Sequence, residues 1–135
     1  MTANKTLLDA SFVGGILGTM KPVQTEIFQS AVDLALKGKL IAPILITYEI
    51  GNVIVTHCRY NKISPEPYWS IFNTLKIDLL APEDLVQIYA IAQQYGLSFY
   101  DASYVAILKQ EKADLLLTFD GDFKKVKDHR INFFE

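Results

Sequence analysis

One stretch near the end of the sequence constrains the fold more than any other. Residues 115–122 read LLLTFDGD, a short apolar run that stops at two carboxylates separated by one glycine. Such a run predicts a buried strand that leads into a loop. Residues 6–9 repeat the design, because two leucines are followed directly by Asp9. Ligands of open α/β sheets bind at the carboxyl ends of the strands. We therefore expect Asp9 and Asp120 to lie side by side at one edge of a sheet.

Strand and helix patterns alternate along the chain. Further apolar runs predict strands at residues 40–43, 77–81 and 131–134, and apolar residues at helical spacing predict helices at residues 25–37, 44–60, 65–75, 82–95 and 99–112. This alternation favours right-handed crossovers and a mainly parallel sheet with both faces covered. A chain of 135 residues is long enough for one domain with a core of its own.

Glycines and a serine predict where several helices begin and end. Gly14 and Gly15 weaken any helix directly after the first strand. Gly38, which stands between two lysines, is expected to be the C-terminal glycine of the first long helix, which begins after Pro22. Gly96 is expected to end the fourth predicted helix in the same way, and Ser98 is expected to cap the helix that follows.

The charge of the chain excludes a broadly basic protein that coats nucleic acid. The sequence has 13 basic and 15 acidic side chains, which give a formal net charge of −2. No Lys or Arg occurs between Lys76 and Lys109. Half of the residues are hydrophobic and the mean hydropathy is +0.19, which favours a second chain that covers part of the surface.

The cysteine and the apolar segments bear on the cellular compartment. A single cysteine, Cys58, excludes an intramolecular disulfide, so a reducing cytoplasm fits best. Asp9 interrupts the one apolar candidate for a signal peptide, and no stretch approaches the roughly 20 apolar residues of a membrane-spanning helix.

Cys58 follows His57, but no second Cys or His lies close in sequence. The pair therefore predicts a small core residue and a polar group near a helix end rather than a metal site.

Several carboxylates occupy positions that need an explanation. Asp9 and Asp120 end strands, where an aspartate commonly just caps the following turn or helix. Glu49 lies on the apolar stripe of its helix, where an unpaired carboxylate is strongly unfavourable, so it needs a partner. Asp101 lies on a similar stripe, although its position three residues after a serine also fits a capping box. Asp122 either adds a fifth carboxylate or belongs to the turn alone.

Together these acids predict a metal site. Carboxylates that gather without basic partners repel one another unless a divalent cation neutralises them. Oxygen ligands without a Cys or His cluster select hard cations, so Mg²⁺ or Mn²⁺ is expected rather than zinc. Sites of this kind typically serve phosphate chemistry.

Hydroxyl and cationic side chains flank these acids. Ser11 and Thr118 each stand two residues from a strand-end aspartate, where they would orient a carboxylate, a metal-bound water or a phosphate oxygen, or form ordinary turn bonds. A group of cations follows the acidic loop and is either a contact for a phosphate backbone or a solvated basic turn. Its members are Lys124, Lys125, Lys127 and Arg130.

Four segments of the chain resemble the acidic motifs of PIN domains, in the same order and at the usual spacing. They are residues 8–11 (LDAS), 48–53 (YEIGNV), 97–104 (LSFYDASY) and 117–123 (LTFDGDF). The resemblance covers essentially the whole chain. It is closest to the short stand-alone proteins exemplified by VapC-type toxins.

The resemblance implies a PIN-like three-layer α/β/α sandwich, a single domain over residues 1–135, with a mainly parallel five-stranded sheet of order 3-2-1-4-5. It also implies a Mg²⁺- or Mn²⁺-dependent endoribonuclease that acts on RNA, a homodimer and, for toxins, a small antitoxin partner. By position, the family's catalytic and metal-binding quartet corresponds to Asp9, Glu49, Asp101 and Asp120, its auxiliary acid to Asp122, and its supporting hydroxyls to Ser11 and Thr118. The Gly14-Gly15 pair interrupts a helix that family members often use for partner contacts.

Two alternatives stay open at this point. A phosphohydrolase of the haloacid dehalogenase class requires Asp-x-Asp after the first strand, and this chain has Ser11 in the second of those positions. A non-catalytic PIN-like domain would serve as an RNA-binding or assembly module. The presence of all four acids argues against that second alternative.

Overall fold

The computed structural model describes residues 4–19 and 25–133 of the chain. Its strands are β1 (Lys5–Leu8), β2 (Lys39–Pro43), β3 (Asp78–Leu80), β4 (Leu115–Thr118) and β5 (Ile131–Phe133). Its helices are α1 (Ala10–Leu17), α2 (Thr25–Ala35), α3 (Leu45–Asn61), α4 (Glu66–Thr74), α5 (Leu85–Tyr95) and α6 (Phe99–Gln110), and a 3₁₀ helix spans Gly121–Lys125. Pro22 and the predicted strand residue Phe134 lie outside the described residues.

The sheet confirms the expected topology. Its strand order is β3-β2-β1-β4-β5, and every pair of neighbouring strands is parallel. In the two central strands, Leu8 of β1 lies opposite Leu117 of β4. Successive residues of a strand point to opposite faces, and the consecutive residues Leu7 and Leu8 are both fully buried. Both faces of the sheet are therefore covered, as in an α/β sandwich.

Local sequence signals define several helix ends, and Gly96 and Ser98 occupy the positions predicted for them. The side chain of Asp84 accepts hydrogen bonds from the backbone N–H groups at the start of α5, and Gly96 ends this helix with a left-handed φ of 66°. Ser98 caps α6 by accepting a hydrogen bond from the Asp101 N–H at 3.0 Å. Within the described part of the chain, none of the helices combines the length and the apolar character that spanning a bilayer demands.

Helix α1 corrects the expectation that Gly14 and Gly15 weaken or interrupt a helix after β1. The helix runs without a break across both glycines. A Cβ atom on Gly15 would lie only 3.0 Å from Cε2 of Phe119 and 3.2 Å from Cε2 of Phe28. Glycine therefore lets two aromatic rings from distant segments pack directly on the helix backbone, and this packing offsets the low helix propensity of the pair.

Gly38 also differs from its predicted role. Among the described glycines, the left-handed backbone of a helix C-terminus occurs at Gly18 and Gly96 and not at Gly38. Gly38 instead lies against β1, where a Cβ atom would be 2.7 Å from the carbonyl oxygen of Asn4. The next residue, Lys39, donates its N–H to that same oxygen at 2.6 Å. A close approach between two backbone segments, rather than a positive φ, requires glycine here.

Replacing Gly38 by alanine should therefore destabilise the fold by about 1–3 kcal/mol, because neither the Asn4 carbonyl nor the paired strand can move away without loss of the hydrogen bond. Urea unfolding of the two proteins measures the difference. The matched control is Gly121→Ala, since an added Cβ atom at Gly121 meets no heavy atom within 4 Å. Equal losses in the two variants would contradict the steric explanation.

Candidate active site

The predicted acids meet at the carboxyl ends of β1 and β4. Asp9 directly follows β1, and Asp120 lies two residues beyond β4. Glu49 reaches this edge from α3 and Asp101 from the first turn of α6. The charge of Asp120 contributes to raising the pKa values of Asp9, Glu49 and Asp101, and the charge of Asp122 also raises the pKa of Asp101. These five carboxyl groups therefore form one electrostatic unit, the acidic unit. The adjacency of β1 and β4 thus produces the arrangement that the two strand-end patterns predicted.

The tightest group within this unit consists of Asp101, Asp120 and Asp122. Each offers one carboxylate oxygen, and the three oxygens lie within 4.8 Å of one another. Two local caps hold them in place: Oδ1 of Asp120 accepts a hydrogen bond from the Asp122 N–H at 2.9 Å, and Ser98 holds the N–H of Asp101. Asp122, predicted only as an auxiliary acid, is therefore part of the closest set of donors.

Asp9 lies outside this three-carboxylate group and is 3% exposed. Its Oδ1 accepts hydrogen bonds from the Phe12 N–H at 2.9 Å and from the Ser11 hydroxyl at 2.7 Å, and its Oδ2 accepts one from the Thr118 hydroxyl at 2.5 Å. Burial raises the pKa of Asp9 to about 7, although these three hydrogen bonds act in the opposite direction. Asp9 both caps α1 and belongs to the acidic unit, so the two interpretations of this residue are compatible.

Ser11 and Thr118 tie the two strand ends together. The Ser11 hydroxyl accepts a hydrogen bond from the Phe119 N–H at 3.0 Å, and the Thr118 hydroxyl accepts one from the Asp120 N–H at 2.9 Å. Each hydroxyl therefore donates to Asp9 while it accepts from the loop that carries Asp120. In this geometry the two hydroxyls hold the Asp9 carboxylate in a fixed orientation.

Tyr104 supplies the partner that Glu49 needs. Its side chain is 1% exposed, and its hydroxyl donates a hydrogen bond to Oε1 of Glu49 at 2.7 Å. Burial raises the pKa of Glu49, and the bond from Tyr104 opposes this rise. Burial and the charge of Glu49 raise the pKa of Tyr104, so its hydroxyl stays protonated as the donor. Sequence analysis assigned Tyr104 no role, although it lies one helical turn after Asp101 on the same face of α6, a spacing that identifies it as a neighbour.

Among the residues that the structure describes, no cation forms an ion pair with the acidic unit. In residues 4–19 and 25–133, the ion pairs join Lys5 to Glu111, Lys39 to Asp78, and Asp128 to His129 and Arg130. None of these pairs includes an acid of the unit. Burial raises the pKa of Asp101 to about 6, and the charges of Asp120 and Asp122 add to this rise. A compact, all-oxygen donor set with excess negative charge fits a hard divalent cation such as Mg²⁺ or Mn²⁺.

The remaining candidates from the sequence lie apart from this donor set. Cys58 is buried in the core, as predicted, and His57 places Nε2 3.1 Å from the hydroxyl of Tyr68. In the basic turn, Arg130 is paired with Asp128 at 2.7 Å. Lys125 donates a hydrogen bond to the Gly96 carbonyl at 3.2 Å. Contact between this turn and a phosphate backbone stays a prediction.

Comparison with characterised proteins identifies relatives of the chain. The family model described as "PIN domain" matches residues 6–129. Ribonuclease VapC3 of Pyrobaculum aerophilum is 34% identical over 83 residues, a match that covers 56% of this chain and 62% of that protein. The matched region thus spans less than two thirds of the relative.

Solved structures share the fold at lower identity. The crystal structure of PAE2754 from Pyrobaculum aerophilum has a TM-score of 0.69 and 22% identity, over 95% of this chain and 89% of that one. A toxin-antitoxin complex from Klebsiella pneumoniae gives a TM-score of 0.69 and 16% identity, over 96% and 98% of the respective chains. Given the strand order, the acids gathered at the ends of β1 and β4 and the family model that matches residues 6–129, this chain belongs to the PIN domain family.

Proposed function

We propose that this protein is a Mg²⁺- or Mn²⁺-dependent endoribonuclease. The observation that carries the proposal is the group of three carboxylate oxygens within 4.8 Å of one another, at the strand ends of a PIN domain and without a protein counter-charge among the described residues. A relative with 34% identity over 83 residues is a ribonuclease, which supports RNA as the substrate. Membership of the PIN family also removes the haloacid dehalogenase alternative.

Asp101, Asp120 and Asp122 would hold the cation. The roles that the sequence predicts for Asp9 and Glu49 as further acids of this site belong to the same proposal. A bound divalent cation supplies charge neutralisation and Lewis acidity toward a phosphate oxygen. The predicted assignment of Asp9 as a ligand stays a proposal; in this structure its two oxygens accept hydrogen bonds from the hydroxyls of Ser11 and Thr118.

Glu49 has the environment of a residue that positions an attacking water and accepts its proton. Tyr104 fixes one of its oxygens at 2.7 Å, and its pKa is raised by burial, which moves a carboxylate toward the range useful for proton transfer. Ser11 and Thr118 fix the geometry between Asp9 and the loop of Asp120. Hydrolysis by such a site would leave a 5′-phosphate and a 3′-hydroxyl.

Removal of the metal should eliminate activity. We expect the purified protein to cut a panel of structured and single-stranded RNAs in the presence of Mg²⁺ or Mn²⁺, and to stop when EDTA is added, because the acids then repel both one another and the phosphate. Gel analysis of the products measures this. Cleavage that persists in EDTA would contradict the metal site. A folded protein that binds RNA but never cuts it would favour the non-catalytic module.

The cellular role follows by analogy. We infer that the chain is the toxin of a toxin-antitoxin pair, a cytoplasmic homodimer with one PIN-like domain over residues 1–135. A VapC-type relative and a structural neighbour from a toxin-antitoxin complex support this role. Large apolar side chains are exposed on α5 and at the start of α6, which supports a protein interface there. They are Leu85, Val86, Tyr89 and Phe99.

Light scattering on the purified protein tests the dimer, and a mass of one 15.2 kDa chain would contradict it.

A further inference from the structure

Two exposed tyrosines line a cavity beside the acidic site. The cavity has a volume of about 290 Å³ and is formed by Leu45, Tyr48, Glu49, Asn52 and Tyr100. Tyr48 is 75% exposed and Tyr100 is 60% exposed, so both aromatic rings are available to a ligand. Because Glu49 belongs to the cavity and to the acidic unit, the two features are continuous.

The backbone explains why the tyrosines stand at this place. Tyr48 directly precedes Glu49 on α3, and Tyr100 directly precedes Asp101 on α6. Each ring therefore comes from the helix that also supplies a site acid. Asn52 follows Glu49 by three residues, which places its amide on the same side of α3. A ligand that contacts both tyrosine rings would therefore contact the sequence neighbours of two site acids.

Charge determines which part of an RNA this cavity suits. The one charged group in its lining is the acid Glu49, so the lining offers no cation to a phosphate group. The sequence has no Lys or Arg between Lys76 and Lys109, the segment that includes Tyr100. The cavity is thus unsuited to the RNA backbone and suited to a neutral planar group. Aromatic side chains beside an amide have the chemistry that binds a nucleobase by stacking and by hydrogen bonding at its edge.

We propose that this cavity is a nucleobase subsite: one unstacked base of a single-stranded RNA stacks on Tyr48 and Tyr100, and Asn52 hydrogen-bonds its edge. The proposal rests on the proposed ribonuclease function and extends it to substrate choice. Bases in a duplex are already stacked and paired, so the subsite selects single-stranded segments. Binding of the base holds the strand beside the acids, in place of the Lys or Arg side chains that the cavity lining lacks.

Fluorescence of a short single-stranded RNA that contains 2-aminopurine tests the subsite, because stacking on an aromatic ring quenches this base. Asp120→Asn serves as the background, to prevent cleavage during the titration. We expect Tyr48→Ala to weaken binding about tenfold and to remove the quenching, since stacking on one aromatic side chain contributes on the order of 1–3 kcal/mol per base. Tyr48→Phe keeps the ring and should bind within about twofold of the parent.

The matched control is Tyr60→Ala, which removes an 86% exposed tyrosine from the other end of α3 and should leave binding unchanged. Equal binding by the Tyr48→Ala and Tyr60→Ala proteins would overturn the subsite. So would a Tyr48→Phe protein that binds as weakly as Tyr48→Ala, because the hydroxyl rather than the ring would then be responsible. Circular dichroism confirms that each variant is folded.

Cleavage assays in the otherwise unmodified protein separate this inference from the nuclease proposal. Metal-dependent cleavage with the same KM in Tyr48→Ala and its parent would keep the nuclease and overturn the subsite. Tyr48-dependent quenching without cleavage of any RNA would keep the subsite and overturn the nuclease. A protein that neither binds nor cuts RNA, but whose Tyr48 is covered by a protein partner, would overturn both.

Discussion

Replacing Asp120 by asparagine is expected to reduce kcat/KM for RNA cleavage by about a thousandfold or more while the fold stays intact. Asp120 supplies one oxygen of the three-carboxylate group, and its charge acts on Asp9, Glu49 and Asp101. An asparagine has the same shape, and its carbonyl oxygen can still accept the hydrogen bond from the Asp122 N–H. The variant thus removes charge and a metal ligand without removing the local cap.

Single-turnover cleavage with saturating Mn²⁺ measures this effect, and Asp101→Asn should behave in the same way. The matched control is Asp33→Asn, an exposed aspartate on α2 whose carboxylate accepts a hydrogen bond from Gln29. It should cleave at the parental rate. An Asp120→Asn protein that retains cleavage would show that the three-carboxylate group is not the catalytic centre.

A second large effect is expected on stability rather than activity. In EDTA at about pH 8, Asp9→Asn should unfold at a higher urea concentration than the parent, with a gain of about 2–4 kcal/mol. Asp9 is buried, and its pKa is raised to about 7. The metal-free parent must therefore keep a buried negative charge at pH 8. An asparagine removes that charge, and its amide can replace the acceptor toward Phe12 and Ser11 and donate to the Thr118 hydroxyl.

The sign of the pH dependence follows from linkage. An unfolded aspartate has a pKa of about 3.9, whereas folded Asp9 titrates at about 7. Between these values the folded state binds a proton that the unfolded state has lost, so the stability of the parent falls as the pH rises through this window. The Asp9→Asn protein lacks this contribution. The two proteins should differ little near pH 4 and most above pH 7.

Urea titrations at several pH values, with and without Mn²⁺, measure the window. Arg130 lowers the pKa of Asp128 to about 2, so Asp128 stabilises the fold above about pH 4 and loses this contribution as the pH falls further. This contribution is the same in both proteins. Mn²⁺ should stabilise the parent more than the variant, since the cation neutralises the unit to which Asp9 belongs. A constant stability difference between the proteins at every pH would refute the account of Asp9 as a buried charge.

Much of the framework is predictable from local patterns. The apolar runs before Asp9 and Asp120 indicate two strands that end in acid, and the parallel pairing of β1 with β4 then brings those acids together. The side-chain hydroxyl of Ser98 caps the start of α6, and the left-handed backbone of Gly96 ends α5. These features depend on neighbours within a few residues, so short stretches of sequence contain the relevant information.

The unpredicted features depend on contacts between distant segments. Helix α1 tolerates Gly15 because the rings of Phe28 and Phe119 pack there, and no local pattern shows that approach. Gly38 must be glycine because the carbonyl oxygen of Asn4, just before β1, leaves no room for a Cβ atom. Tyr104 becomes the partner of Glu49 across 55 positions of sequence. In each case the physical reason is tertiary proximity, which propensity and periodicity do not encode.

The pairing of β1 with β4 also determines when the acidic site can assemble during synthesis of the chain. Thr118 and Asp9, whose hydrogen bond joins the ends of β1 and β4, are separated by 109 positions in the chain. A growing polypeptide on the ribosome carries Asp9 and Glu49 long before the segment that completes the central sheet has emerged. Closure of such a distant contact comes late in folding. A chain that is released early therefore carries separate acids, and the acidic site assembles only after the segment that contains Thr118 and Asp120 has been synthesised.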